Sequence, residues 1–484
     1  MRFSISEVSK LFVFGLVLAV SFAISTLAAE TPEASKKADA LFNGLIKPDD
    51  PGLAVLVVQN GKILFEKAYG MADREHSVAV DTKNRFRIGS VTKQFTAAAI
   101  LKLQEEGKLS VNDKLSKYFP DFPRGSGVTL QQLLTHTSGI HNYTDHFNFT
   151  LAGTNVITTE ALINSFKSEP YDFNPGEKWL YDNSGYVLLG RIVEKVSGES
   201  FGAFLRKSFF QPLGMADTGR NESAYPIAHE ALGYSFENGH FNPAVSLDPS
   251  WTFGTGDLYS TVEDLNRWTE AIFTGQVLKQ TTLKTAFTPV RTTENRDDDS
   301  GDGYGYGWFI SNWRGLHEIS HGGNLPGFNS FLLRIPDQKF TVVILANSAP
   351  GAHRVVPDTL GHDLVAIYLP DKLTPLPVPN DTVSAKVFGA LVGRYEFRGQ
   401  ILIVTADSAH LFGQFEGEPK LELFPLSETE FFWKDVYARV KFVKDTNSKV
   451  VRAIFRKNGE TLYMQRLDSL VPRSPEPKLN QDAK

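Results

Sequence analysis

The sequence predicts an α/β architecture of the α+β kind: a sheet built from both ends of a large domain, helices between those ends, and a small all-β domain after it. Three observations carry this. Residues 54–59 and 62–65 are apolar runs joined by Asn60-Gly61, a pair suited to a two-residue hairpin turn with positive φ. Residues 328–335 and 340–345 form a second such pair around Pro336-Asp337-Gln338-Lys339. Residues 395–467 alternate short apolar and aromatic runs with turn residues and hold almost no helical pattern.

In chain order, residues 35–46 have helical spacing before the first hairpin. A long helix then follows Ser90, the expected N-cap, and stops at Glu105-Glu106-Gly107. Thr129 is expected to cap a helix over 130–137, ended by Ser138-Gly139. A helix over 184–196 follows the turn Asn174-Pro175-Gly176 and is stopped by Ser197-Gly198. Ser260-Thr261-Val262-Glu263 reads as a capping box opening a helix to Phe273. The expected division is a signal peptide at 1–29, a large α+β domain at 30–368 and a Pro-rich linker at 369–383. An all-β, lipocalin-like barrel at 384–471 and a disordered tail at 472–484 complete it.

Composition narrows the function. A net charge of -5 without a basic stripe argues against a nucleic-acid partner. Arg2 and Lys10 precede an apolar run at 11–24, and Thr26, Ala28 and Ala29 follow it, as in a secretory signal. The run is short for a membrane span, so a membrane role rests only on an uncleaved signal. The chain has no Cys, hence no disulfide or thiolate chemistry, which suits a bacterial periplasmic or secreted protein. Nothing in the sequence sets the oligomeric state.

The helix after Ser90 is apolar almost all round, which predicts burial, yet it carries Lys93 in its first turn. Ser90 and Lys93 are three apart and share a helical face, so nucleophile and amine lie within reach. The helix N-terminus adds free N–H groups for a developing anion. About two Ser-x-x-Lys matches are expected by chance in a chain this long. This chain has one, and it opens the most apolar helix. Tyr181-Asp182-Asn183 is the one Tyr-x-Asn, on a loop before a helix; a phenol can relay protons and an amide can hold a carbonyl. His321-Gly322-Gly323, the one His-x-Gly, precedes a strand whose backbone a substrate could approach closely.

Two patterns compete. His317-Glu318-Ile319-Ser320-His321 matches a zinc-peptidase motif, which needs both imidazoles on one helical face. Flanking glycines predict a strand instead, where the rings would stand about 13 Å apart at about 3.3 Å per residue. The acidic run 298–303 begins like a calcium loop, but Phe309 occupies the position that needs Glu. No metal and no cofactor is expected. No Gly-x-Ser-x-Gly elbow occurs.

Ser90-x-x-Lys93, Tyr181-x-Asn183 and His321-Gly322-Gly323, in that order, resemble the three motifs of the penicillin-recognising serine hydrolases. The Tyr-x-Asn form is similar to the branch of class C β-lactamases, D-alanyl-D-alanine carboxypeptidases, D-aminopeptidases and family esterases. Leu133-Leu134-Thr135-His136-Thr137-Ser138-Gly139-Ile140, Pro175-Gly176 and Pro212-Leu213-Gly214-Met215 also resemble that branch. The resemblance implies a β-lactamase/transpeptidase-like fold: an antiparallel sheet flanked by helices, beside a helical subdomain. It implies acyl transfer through Ser90, with Lys93 and Tyr181 sharing the proton work and either of them the base. Asn183 would hold the substrate amide, and the backbone N–H groups of Ser90 and Asn324 would form an oxyanion hole. His321 stands where many members carry the Lys of Lys-Thr-Gly, which favours substrates without a carboxylate there. The expected partner is a small peptide, amide, lactam or ester. The alternatives are a carboxylesterase of the same fold, a zinc peptidase through His317, Glu318 and His321, and a non-catalytic binding protein.

Overall fold

The computed structural model describes residues 32–145, 153–222, 226–294, 301–349, 355–397, 399–434, 437–457 and 459–467. The expected signal peptide, the expected disordered tail after residue 471 and residues 298–300 of the acidic run lie outside them. Seven strands make the main sheet: β1 Leu53–Gln59, β2 Lys62–Tyr69, β3 Gly303–Tyr304, β4 Phe309–Trp313, β5 Leu316–Leu325, β6 Phe328–Ile335 and β7 Phe340–Ala346. Their order is β3-β4-β5-β6-β7-β1-β2, and every pairing is antiparallel. The two ends of the domain meet where β1 pairs with β7, Leu53 opposite Ala346 and Gln59 opposite Phe340. The turn between β1 and β2 takes positive φ at both Asn60 and Gly61, as the dipeptide predicts.

Period-2 alternation divides β1 between two cores. Ala54, Leu56 and Val58 face a large core shared with helix α2, Thr92–Glu105, and with the helical insertion. Leu53, Val55 and Val57 face a second core closed by α1, Pro32–Asn43, and by a helix over Pro357–Tyr368. Both faces of the strand are therefore dry, which is why its sequence is a continuous apolar run.

Three local expectations need correction, and one alternative falls. Ser90 does not cap α2; it lies inside a 3-10 turn, Gly89–Val91, and the cap position is Val91 with no side-chain hydrogen bond. The helix expected over 130–137 ends at Leu134, because His136 turns to positive φ and its carbonyl accepts from Leu180 N. The helix ending at Phe273 is capped by Thr261, which accepts from Asp264 N, rather than by a Ser260–Glu263 box. The His-Glu-x-x-His segment lies within β5, the strand that its flanking glycines predict, so no helical face exists to gather a zinc ion. Its alternation sends Glu318 to the far side of the sheet, where His362 Nε2 lies 2.7 Å from its carboxylate. The zinc-peptidase alternative therefore falls on geometry.

Beyond Tyr368 the Pro-rich stretch is held at both ends: Thr374 N donates to the Arg314 carbonyl and Asn380 N to the Pro425 carbonyl. Eight antiparallel strands between Gly393 and Arg466 then close into a barrel around Tyr395, Phe431, Val440 and Met464. Trp313 meets Tyr437 edge-on at 5.1 Å, and Lys457 pairs with Asp358 at 3.2 Å, so the barrel is docked on the sheet. No helix of the described residues is long and apolar enough to cross a membrane.

Candidate active site

Ser90 occupies the short turn leading into α2 because β5 presses on it. A Cβ at Gly323 would fall 2.0 Å from the Ile88 carbonyl oxygen and 2.9 Å from Ser90 N. A Cβ at Gly89, whose φ is +50°, would fall 2.8 Å from Asn324 N. Only two glycines in register permit this approach, and it brings the amides of Ser90 and Asn324 side by side. Ser330 Oγ fastens the contact by donating to the Ile88 carbonyl at 2.8 Å.

Lys93 is completely buried, and its Nζ lies 3.1 Å from Ser90 Oγ, 2.7 Å from Asn183 Oδ1 and 3.2 Å from the Thr255 carbonyl. Burial depresses its pKa to about 7, against a smaller upward pull from Asp182. A neutral amine has two hydrogens and one lone pair. Asn183 Oδ1 and the Thr255 carbonyl can only accept, so they take the two hydrogens and the lone pair is left for the Ser90 hydroxyl.

Tyr181 stands beside this pair, with Lys93 Nζ 4.7 Å from its ring centroid. Its hydroxyl is buried without a hydrogen bond, and burial raises its pKa well beyond the ordinary phenol value, with Ser90 the polar neighbour that opposes the rise. Asp182 caps the helix over Asn183–Ser197 by accepting from the amides of Ser184 at 2.7 Å and Gly185 at 3.0 Å, which aims Asn183 into the site. Asn183 Nδ2 donates to Thr144 Oγ1 at 3.1 Å, and its backbone N donates to Asn142 Oδ1 at 3.0 Å.

His321 lies behind the site rather than in its mouth. It is 2 % exposed, with Nδ1 2.6 Å from the Gly322 carbonyl and Nε2 2.9 Å from Tyr304 Oη. Nδ1–H therefore donates and Nε2 accepts from the phenol. Burial, and then the nearby Lys93 charge, push its pKa down to about 3, so the ring is neutral. Gly322 is partly exposed and Asn324 exposed at the cleft rim.

Sequence reasoning missed three contributors. His136 packs within 4.4 Å of the Tyr181 ring centroid and accepts from Asp182 N at 3.1 Å, so it fixes the Tyr181 loop. It lies in a stretch already quoted for its family resemblance, but nothing there marked its position. Tyr304 and the Thr255 carbonyl left no local signal, since each arrives from a distant element.

Comparisons with known proteins agree with this geometry. Residues 38–366 match the beta-lactamase family. Penicillin-binding protein 4* of Bacillus subtilis (strain 168) is 30% identical over 427 residues, spanning 84% of this chain and 93% of its own. The structure of a D-stereospecific amidohydrolase from Streptomyces sp. superposes with a TM-score of 0.57 at 25% identity, over 65% of this chain and 94% of that one. An octameric penicillin-binding protein homologue from Pyrococcus abyssi gives a TM-score of 0.61 at 24% identity, over 89% of this chain and 98% of its own, a likeness of fold. The chain belongs to the beta-lactamase family, among the penicillin-recognising serine hydrolases, and carries a closed β-barrel after the family domain.

Proposed function

We propose that this protein is an exported hydrolase that forms an acyl-enzyme on Ser90 and cleaves small amide, peptide or ester substrates. The observation that carries the reading is the Lys93 amine, 3.1 Å from Ser90 Oγ, buried and depressed to a pKa of about 7. The same burial that lowers Lys93 raises Tyr181. This makes Lys93 the base and the protonated phenol the acid, a division the residue types alone leave open.

In the acylation step Ser90 Oγ bonds to the substrate carbonyl carbon and gives its proton to Lys93 Nζ. The oxyanion is met by the amides of Ser90 and Asn324, each such donor supplying about 10²- to 10³-fold in rate. As the bond to nitrogen or oxygen breaks, Tyr181 gives its proton to the leaving group and recovers one from the Lys93 ammonium. Water then attacks the acyl-enzyme by the reverse proton route, releasing a carboxylic acid and restoring Ser90. Asn183 would turn its amide from Thr144 to the substrate.

A neutral, buried His321 provides no fixed cation for a substrate carboxylate, which supports amide or ester substrates over carboxylate-bearing lactams and D-alanyl-D-alanine ends. D-stereospecific amide hydrolysis, named for one structural relative, fits the same chemistry. Export on a leader at 1–29, cleaved before a mature chain of hydrolase domain, linker and barrel, completes the reading. The test is intact-mass profiling of covalent adducts across lactams, esters and amino-acid amides. Adducts in the wild type and none in Ser90→Ala support it; equal labelling of the two overturns it.

A further inference from the structure

A cavity of about 600 Å³ separates the far face of the sheet from the barrel, a volume usual for a small-molecule site. Ser311 and Trp313 of β4 line its sheet side, and barrel strands Arg439–Lys444 and Val450–Lys457 contribute the other. Trp313 belongs to the second core, while Gly323 of the neighbouring strand turns toward Ser90, so the cavity and Ser90 lie on opposite faces of the sheet. Trp313 is 5 % exposed, with His362 stacked on its ring at 4.6 Å and Tyr437 edge-on at 5.1 Å. Its Nε1 is nevertheless buried without a hydrogen bond among the described residues. An indole N–H can only donate, and burying it without an acceptor is unfavourable. Ser311 Oγ, two residues away on the same face, is buried and unbonded too. That hydroxyl can turn to Glu318 Oε1, opposite it in the register; the indole, held between His362 and Tyr437, cannot.

On the barrel wall, Arg439 and Arg456 stand directly opposite one another in the strand register, where like charges repel. Glu430 lies 3.9 Å from Arg439, too far for a hydrogen bond. With Arg314 and Lys457, four cations line the cavity against two carboxylates, Asp302 and Glu430. Asp302 already accepts from Asn312 N at 2.9 Å, and Lys457 is engaged by Asp358 at 3.2 Å. The rings of Trp433 and Tyr437 complete the lining. An unpaired buried donor, two opposed guanidinium groups and aromatic walls call for an acceptor, a negative charge and an apolar plane. We propose that this cavity binds a small carboxylate with a flat apolar body. Its charge answers Arg439 and Arg456, one of its oxygens accepts from Trp313, and its body lies against Trp433 and Tyr437. The site is separate from Ser90 and stands independently of the acyl-transfer reading.

The test titrates the full chain with 3-phenylpropionate and with 3-phenylpropionamide, by calorimetry and by tryptophan fluorescence. The acid should bind about tenfold tighter than the amide, the worth of one charge-assisted contact. Arg439→Gln, a change at an exposed position, should weaken the acid about tenfold and leave the amide within about twofold. Trp313→Phe keeps a ring and removes the N–H, and should weaken both ligands about fivefold. Ser90→Ala should bind the acid as the wild type does. Absent binding of the acid, or equal binding of acid and amide, overturns the proposal. So does a preference for the acid that survives in Arg439→Gln. Binding lost in Ser90→Ala would put the ligand in the catalytic cleft and overturn it as well.

Discussion

Replacing Lys93 with Met should make the folded protein gain stability relative to wild type as pH falls. The side chain is wholly buried, and its pKa drops from 10.5 to about 7 on folding. A lowered pKa means the unfolded chain binds the proton more tightly, so wild-type stability rises with pH between about 7 and 10.5. At about 1.4 kcal/mol per pKa unit, the ammonium costs the fold about 2 kcal/mol near pH 9 and about 5 kcal/mol near pH 6. Met fills similar volume without titrating. It leaves Asn183 Oδ1 and the Thr255 carbonyl short of a donor, a loss of about 1–3 kcal/mol each that does not vary with pH. The difference in unfolding free energy between variant and wild type should therefore move by about 3 kcal/mol in favour of Met from pH 9 to pH 6. Urea unfolding of both proteins across that range measures it. Parallel stability profiles would show that Lys93 keeps an ordinary pKa, and the reasoning from burial would fail.

Activity should follow the same proton. With an uncharged ester, kcat/KM should rise through about pH 7 as Lys93 loses its charge and hold beyond the ordinary phenol range, because Tyr181 is raised; a pH–rate profile flat through neutrality would contradict it. Tyr181→Phe should lower the acylation rate by about 10²- to 10⁴-fold with little change in thermal midpoint, read by stopped-flow with a chromogenic ester. Gly323→Ala should cost about 100-fold or more in kcat, since its methyl would sit 2.0 Å from the Ile88 oxygen and push β5 off Ser90. Gly322→Ala, whose methyl would find nothing nearer than 3.5 Å, should stay close to wild type in the same assay. On the far side of the sheet, His362→Leu should destabilise the fold by about 3–5 kcal/mol by stranding the buried Glu318 carboxylate, and Glu318→Leu with His362→Leu should recover most of it in urea titrations.

What the sequence discloses and what it hides divide along contact range. Asn60-Gly61 announces its turn because the φ preference resides in the two residues themselves. Ser90 and Lys93 announce their proximity because one helical turn brings i and i+3 together, and the 3-10 turn at Ser90 preserves that spacing. The cap assigned to Ser90 fails for a tertiary reason: β5 forces Gly89 to positive φ and draws the serine into the turn. The helix after Thr129 stops early for a similar cause, since His136 must turn beneath the Tyr181 loop to receive Asp182 N. His-Glu-x-x-His reads as metal chemistry only while its secondary structure is open; on a strand the same letters point to opposite sides of a sheet. Tyr304 on His321 and the Thr255 carbonyl on Lys93 join residues 17 and 162 positions apart. No local pattern encodes such pairs. They exist because the sheet and the helical insertion close on one cleft.

Acyl transfer at Ser90 is tested most directly by quenching the protein with a chromogenic ester at a series of pH values and mapping the acylated peptide by mass. Nucleophilic attack assisted by Lys93 requires the acyl group on the peptide containing Ser90, forming at a rate that climbs through about pH 7 and vanishes in Lys93→Met. An acyl group found elsewhere, or a Ser90 adduct whose rate ignores both pH and Lys93, would contradict it.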